Sequence, residues 1–326
     1  MINLYWPVYK NIEREIVELS NQVHFDDSQL TVYSVKISEL LIRCVVEIEA
    51  IAKELYFKNG GVCPADRDLY FDTDCLNLLE QKWQLSKKKV IISSSNFYFQ
   101  NVDNKVLNPL LKANKRGSSA ADWKKAYQAV KHNRTDNLRK GNIKNLLKAM
   151  AALFLLNLYY RDDKYSLKNY NETSFTENIS DLFNIKVHTW HGDGVGENSY
   201  FKKEDFDECT YLIKWEDDYK KKWDEFIREQ EKILNEIIFN HPNVSQYVNE
   251  KFIDNGMIKK EEFVSFVKNR EYFKCFDMKT EYGNMINTAF QKASKKLNFD
   301  WKSLRTYEAI LNKHQKIYSN NEVTIE

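Results

Sequence analysis

The sequence predicts a mainly α protein. An N-terminal helical bundle covers residues 1–165, and a second, largely helical domain with a small β-hairpin covers residues 166–326. Three observations predict it. Apolar residues recur every three or four positions along most of the chain. Nine Gly and four Pro are too few for the many tight turns of an all-β fold. A length of 326 residues exceeds what one core usually organises, and the polar stretch 161–176 supplies a linker between two domains.

Taken in order, residues 8–23 place apolar side chains at 8, 12, 16, 19 and 23, a helical period. Residues 30–56 form a longer helix with Ile37, Leu41, Cys44, Ile48, Ile51 and Leu55 on one face, stopped by Asn59-Gly60-Gly61. Residues 62–71 are irregular, 74–83 read as helix, and 96–111 read as a helix ending near Pro109. Ser118 or Ser119 caps the next helix, whose inner stripe is Trp123, Ala126, Tyr127 and Val130. The polar turn 132–141 follows, and residues 142–160 are then apolar almost all round, as in a helix surrounded by others. Residues 185–190 alternate as a strand, and His191-Gly192-Asp193-Gly194 supplies turn chemistry for a hairpin. Helices return over 205–213, 215–239, 244–254, 259–273, 279–296 and 303–318.

Several classes are excluded or disfavoured. Residues 1–10 lack the basic and apolar regions of a signal peptide. The longest apolar run, residues 149–160, is too short to span a bilayer, so no membrane partner is expected. Five cysteines, odd in number and scattered without zinc-ligand spacing, fit a reducing cytoplasm. The triplet of histidine and aspartate at His188, His191 and Asp193 has metal-ligand types but not a zinc spacing, and its glycines favour a turn. No metal and no cofactor is expected.

The net charge of +2 conceals an asymmetry. Residues 112–148 hold eleven Lys or Arg against two Asp, a local charge of +9, which leaves the remainder at −7. A cationic segment in a near-neutral chain either is a solvated helix face or meets an anionic partner. Here the acidic residues needed for i,i+4 pairing are scarce. His132 falls about 180° around the helix from Trp123, away from the core stripe. Lys131 and Arg134 flank it, cations suited to a phosphate. RNA cleavage without a metal needs a base for the 2′-hydroxyl, an acid for the leaving oxygen and a cation at phosphorus, and an imidazole titrating near pH 6.5 suits the proton transfers. One histidine is few for both roles, which makes a homodimer pairing two copies of the turn attractive.

The IEAIAKELY stretch in helix 30–56, the Trp123-x3-Tyr127-x2-Val130-Lys131-His132-x-Arg134 turn and the Ala/Leu-rich helix after it resemble the HEPN superfamily over about residues 10–160. The resemblance implies a four- or five-helix bundle, frequently dimeric. Its members include metal-independent ribonucleases of anti-phage and toxin–antitoxin systems, and inactive relatives that only bind RNA or nucleotides. On it, His132, Arg134, Lys131 and Glu47 are the expected catalytic set, with Glu47 orienting the turn. Lys124, Lys125, Arg139, Lys140 and Lys144 are the expected RNA contacts, and residues 166–326 would regulate the bundle or meet a regulatory partner. The family's motif has an Arg four to six residues before its His. This chain has Lys125, Ala126 and Tyr127 there, so either Lys125, Lys131 or Arg134 substitutes, or the fold is kept without the nuclease. Glu47 has an alternative reading as an i,i+4 partner of Arg43.

Overall fold

The computed structural model describes residues 4–167, 175, 179–188, 205–254, 257–300 and 307–314, and these are mainly helical. In chain order the helices are α1 (Tyr5–Ser20), α2 (Val35–Lys58), a π-helical turn (Phe71–Leu76) running into α3 (Asn77–Trp83), and α4 (Val102–Lys105). Then come α5 (Asp122–His132), α6 (Arg134–Asn137), α7 (Ile143–Arg161), α8 (Asp217–Phe239), α9 (Pro242–Phe252), α10 (Lys260–Lys268) and α11 (Glu281–Leu297). The strands are short: β1 (Phe25–Asp26), β2 (Val90–Ile92), β3 (Phe97–Tyr98), β4 (Val106–Leu107), β5 (Tyr165–Leu167), β6 (Phe183–Ile185), β7 (Val187–His188), β8 (Tyr211–Trp215), β9 (Ile253–Asp254), β10 (Met257–Ile258) and β11 (Tyr307–Leu311). No described helix is long and apolar enough to cross a membrane.

Two compact units emerge, Met1–Lys214 with Tyr307–Glu326, and Trp215–Thr306. In the first, α7 is the central helix. Its residues 149–159 are all buried, and it packs against α1, α2 and α5. Asn142 caps it, its side chain accepting from Asn145 N–H. The predicted face of α2 is buried at every position named, and Ser34 caps its start by accepting from Ile37 N–H. The helix ends at Asn59, followed by Gly60 at φ +87, a conformation glycine adopts without a Cβ clash. Small sheets edge the bundle: β1 pairs β3 in parallel, β2 lies between antiparallel β4 and β6, and the third runs β5-β11-β8-β7.

In the second unit α8 packs against α11 over Phe226, Ile233, Ala289, Ala293 and Phe299. A further cluster of Val244, Phe252, Phe266, Tyr272, Phe276 and Met285 holds α9, α10 and the 3-10 turn Glu271–Cys275 together. β9 and β10 form an antiparallel hairpin there, with Asp254 opposite Met257.

Several expectations are corrected. Residues 96–111 are not a helix but β3, the one-turn α4 and β4. The segments 205–213 and 303–318 hold strands β8 and β11. Their Tyr, Ile and Leu content satisfies a strand as well as a helix, and pairing in one sheet decided the matter. A hairpin among the described residues is β9–β10: Ile253 and Asp254, expected to end the helix over 244–254, pair with Ile258 and Met257 instead. The hairpin expected at 191–194 lies outside the described residues. Nor do the units divide near residue 165: β5, in the expected linker, pairs with β11.

Candidate nucleic-acid interface

The buried stripe of α5 is the one its spacing predicts: Trp123, Ala126, Tyr127 and Val130 are inside, and Trp123 Nε1 donates to Pro109 O at 2.8 Å. Its start lacks the expected serine cap. Ser118 and Ser119 sit in a preceding 3-10 turn, and Ala121 occupies the cap position. The stripe aims the opposite face outward, so His132, the last helical residue, is exposed. Its Nε2 lies 3.1 Å from Gln128 Oε1, one turn back. Lys131 Nζ stands 5.3 Å from the Tyr127 ring centroid, and a hydrogen bond with the Tyr127 hydroxyl holds the ammonium above its ordinary pKa.

Asparagines build the turn after His132. The Asn133 side chain accepts from Asp136 N–H and donates to Asp136 Oδ2 at 2.7 Å, and Asn137 Nδ2 donates to Asn133 O. Asn142 Nδ2 donates to Arg139 O at 3.2 Å and Asn145 Nδ2 to Lys140 O at 2.9 Å. The backbone between α6 and α7 is therefore pinned while its cationic side chains point to water. Gly141 lets this turn close on α2: a Cβ there would lie 2.1 Å from Ser38 Oγ and 2.9 Å from Ser38 Cβ.

Of the eleven cations of residues 112–148, Lys112 and Lys115 are exposed ahead of α5, and the other nine fall into two groups. Lys124 is 4% exposed, and its ammonium bonds Asp72 Oδ2 at 2.6 Å and the carbonyls of Ala113 and Lys115. It is therefore not available as an RNA contact, because its charge is consumed inside the bundle. Arg116 Nε also bonds Asp72, at 2.9 and 3.0 Å, and stacks on Tyr70 at 3.7 Å. Burial pushes the Asp72 carboxyl up, but hydrogen bonds from Lys124 and the Thr73 N–H outweigh it and hold the group below the ordinary range. Lys125 pairs with Asp122 at 3.0 Å, and Lys148 approaches the same carboxylate at 3.9 Å. By contrast Lys131, Arg134, Arg139, Lys140 and Lys144 are exposed, and no carboxylate among the described residues forms an ion pair with them. Asp136 is the one carboxylate between them in sequence.

Glu47 is not brought to the turn. It makes no ion pair with Lys131 or Arg134; it is half-buried, which raises its pKa, with Arg43 pulling it down, and its charge is felt by Tyr5 of α1. The acidic side chain of α2 that Lys131 and Lys124 feel is Glu49, two residues on and therefore on a different face. Position Lys125 carries a cation, but one tied to Asp122, and Ala126 and Tyr127 are buried. His188 is buried edge-on to Phe206, centroids 5.3 Å apart, while His191 and Asp193 lie outside the described residues.

The sequence reading missed Asp72, Arg116, Gly141 and the four asparagines. Only the asparagines carried a local signal, being turn and cap formers spaced through a polar stretch. Chemically, the arrangement offers one outward imidazole in this turn and five cations on a fixed backbone, suited to successive phosphates of an extended anion. Comparisons of the chain with protein-family models, with curated proteins and with solved structures gave no match.

Proposed function

We propose that the first unit binds RNA through the turn between α5 and α7, with Lys131, Arg134, Arg139, Lys140 and Lys144 as phosphate contacts. The single observation that carries this reading is that these five cations stay exposed without a carboxylate partner, on a backbone pinned by asparagine side chains, while their sequence neighbours Lys124, Lys125 and Lys148 pair with Asp72 or Asp122. A surface held only for solubility would mix both signs of charge. The test is a gel-shift assay with tRNA and the variant carrying Arg134→Gln, Arg139→Gln, Lys140→Gln and Lys144→Gln. The wild type retards the RNA and the variant does not. Equal retardation by both would remove the proposal.

The exposure of His132 favours a second reading, metal-independent ribonuclease activity of the HEPN type in anti-phage defence or a toxin–antitoxin system. The ring is open to a substrate and fixed by Gln128, and Lys131 and Arg134 flank it. A second copy of the chain would supply the missing acid or base. With total RNA in EDTA, wild type then yields cleavage products and His132→Ala yields none while still retarding tRNA. Binding without products by both proteins would leave the first reading alone standing.

A further inference from the structure

Four aromatic side chains of the described residues are exposed: Tyr33 at 51%, Phe57 at 47%, Tyr70 at 37% and Tyr98 at 52%. Three are partnered. Phe57 packs edge-on to Tyr56 at 5.4 Å, Tyr70 is covered by Arg116, and Tyr98 stacks on His24 at 4.5 Å. Tyr33 has neither a ring nor a cation against it among the described residues. Its backbone is nonetheless fixed beside the basic turn. Tyr33 and Asn142 form an isolated antiparallel bridge, Ile143 N–H donates to Val32 O, and Lys144 N–H donates to Leu30 O, both at 3.0 Å. Residues opposed in an antiparallel bridge project to the same face. Tyr33 therefore stands on the side of Asn142, whose amide holds Arg139 O. Val35, 52% exposed, extends the apolar surface two residues on. A water-exposed ring on a fixed backbone, next to unpaired cations, has the two components of single-strand recognition: a flat platform for a base and charges for the adjoining phosphates. The α7 N-terminus adds no anion site of its own, because the N–H groups of Ile143, Lys144 and Asn145 are already bonded to Val32 O, Leu30 O and Asn142 Oδ1.

We propose that Tyr33 is a base-stacking platform that directs the basic turn to single-stranded RNA. A base stacks on the ring while its neighbouring phosphates lie on Arg139, Lys140 and Lys144. This rests on the RNA-binding reading above and deepens it by naming the substrate class. Paired bases cannot present a face to a side chain without unstacking, so a duplex reaches only the cations.

The experiment measures fluorescence anisotropy of a labelled 12-nucleotide single-stranded RNA and of its blunt duplex. The proteins are wild type, Tyr33→Phe, Tyr33→Ala and the double variant Arg139→Gln/Lys140→Gln, with thermal melts as the folding control. Wild type and Tyr33→Phe bind the single strand alike. Tyr33→Ala loses about tenfold on the single strand but not on the duplex. The double variant loses affinity for both RNAs. If Tyr33→Ala matches wild type on the single strand while the double variant is weakened, stacking is overturned and the RNA-binding reading survives. An equal loss by Tyr33→Ala on both RNAs also overturns it, since a structural defect would do that. If wild type binds neither RNA, both are overturned.

Discussion

Asp72 and Lys124 illustrate how a single long-range pair changes the meaning of a charged residue. By spacing, Lys124 belongs with the other lysines of its segment, and nothing local marks it as buried. Its partner lies 52 residues away in the π-helical turn, and no periodicity reports such a pair. Both side chains are about 95% hidden, at 5% and 4% exposure. Replacing Asp72 by Asn leaves an uncompensated buried ammonium and should cost about 3–5 kcal/mol in urea denaturation. The double variant Asp72→Leu/Lys124→Met should recover most of that loss. A loss within experimental error for Asp72→Asn would contradict the account. Because the folded Asp72 titrates below its unfolded value, its contribution is full above about pH 4 and fades as pH falls through the folded pKa.

Lys88 gives the complementary case. It is fully buried with Nζ 3.0 Å from Asp207 O, and burial pushes its pKa down to about 8. The unfolded chain then holds this proton more tightly than the folded one. Stability gained from this group rises as pH climbs from about 8 to about 10.4, the unfolded value. Lys88→Met lacks that rise, so its stability relative to wild type should be greater at pH 7.5 than at pH 10. A difference independent of pH would show that the ammonium is not desolvated.

At the scale of elements, the helices were legible where burial imposed a period. The faces of α2 and α5, the all-round burial of α7 and the outward placement of His132 followed from spacing alone. Of the described strands, β7 lies within the segment 185–190 that alternation marks, and the others were not legible. β1, β3 and β4 are two residues long, too short for alternation to register, and β8 and β11 exist by virtue of each other. The link between α6 and α7 reads as a polar loop, but its geometry depends on Gly141 meeting Ser38. Gly141→Ala forces a methyl into that contact and should cost about 1–3 kcal/mol. It should also weaken tRNA binding by displacing the cationic turn, without removing any charge. Unchanged stability and binding, by thermal melt and gel shift, would mean the turn is not positioned by this contact.

On the whole-molecule scale, the chain leaves the first unit at β8 and returns to it at β11, the neighbouring strand in the same sheet, with Asn312 N–H donating to Thr210 O at 2.8 Å. The second unit is thus inserted between adjacent strands. The sequence hid this because the strands that frame the insert are about a hundred residues apart and the pairing has no local trace. Replacing 216–306 by a short Asn-Gly turn should leave a protein with a cooperative thermal transition and a helical far-ultraviolet spectrum. Loss of the transition would mean that the insert completes the core of the first unit.

The central claim is that the α5–α7 turn engages RNA by charge, and the salt dependence of binding reads it most directly. Five phosphate contacts on a single strand predict a slope of roughly −3.5 in log K against log salt, at about −0.7 per contact. Each Gln replacement among Lys131, Arg134, Arg139, Lys140 and Lys144 should reduce that slope by about 0.7. A slope near zero, or one that the five replacements leave unchanged, would contradict the account.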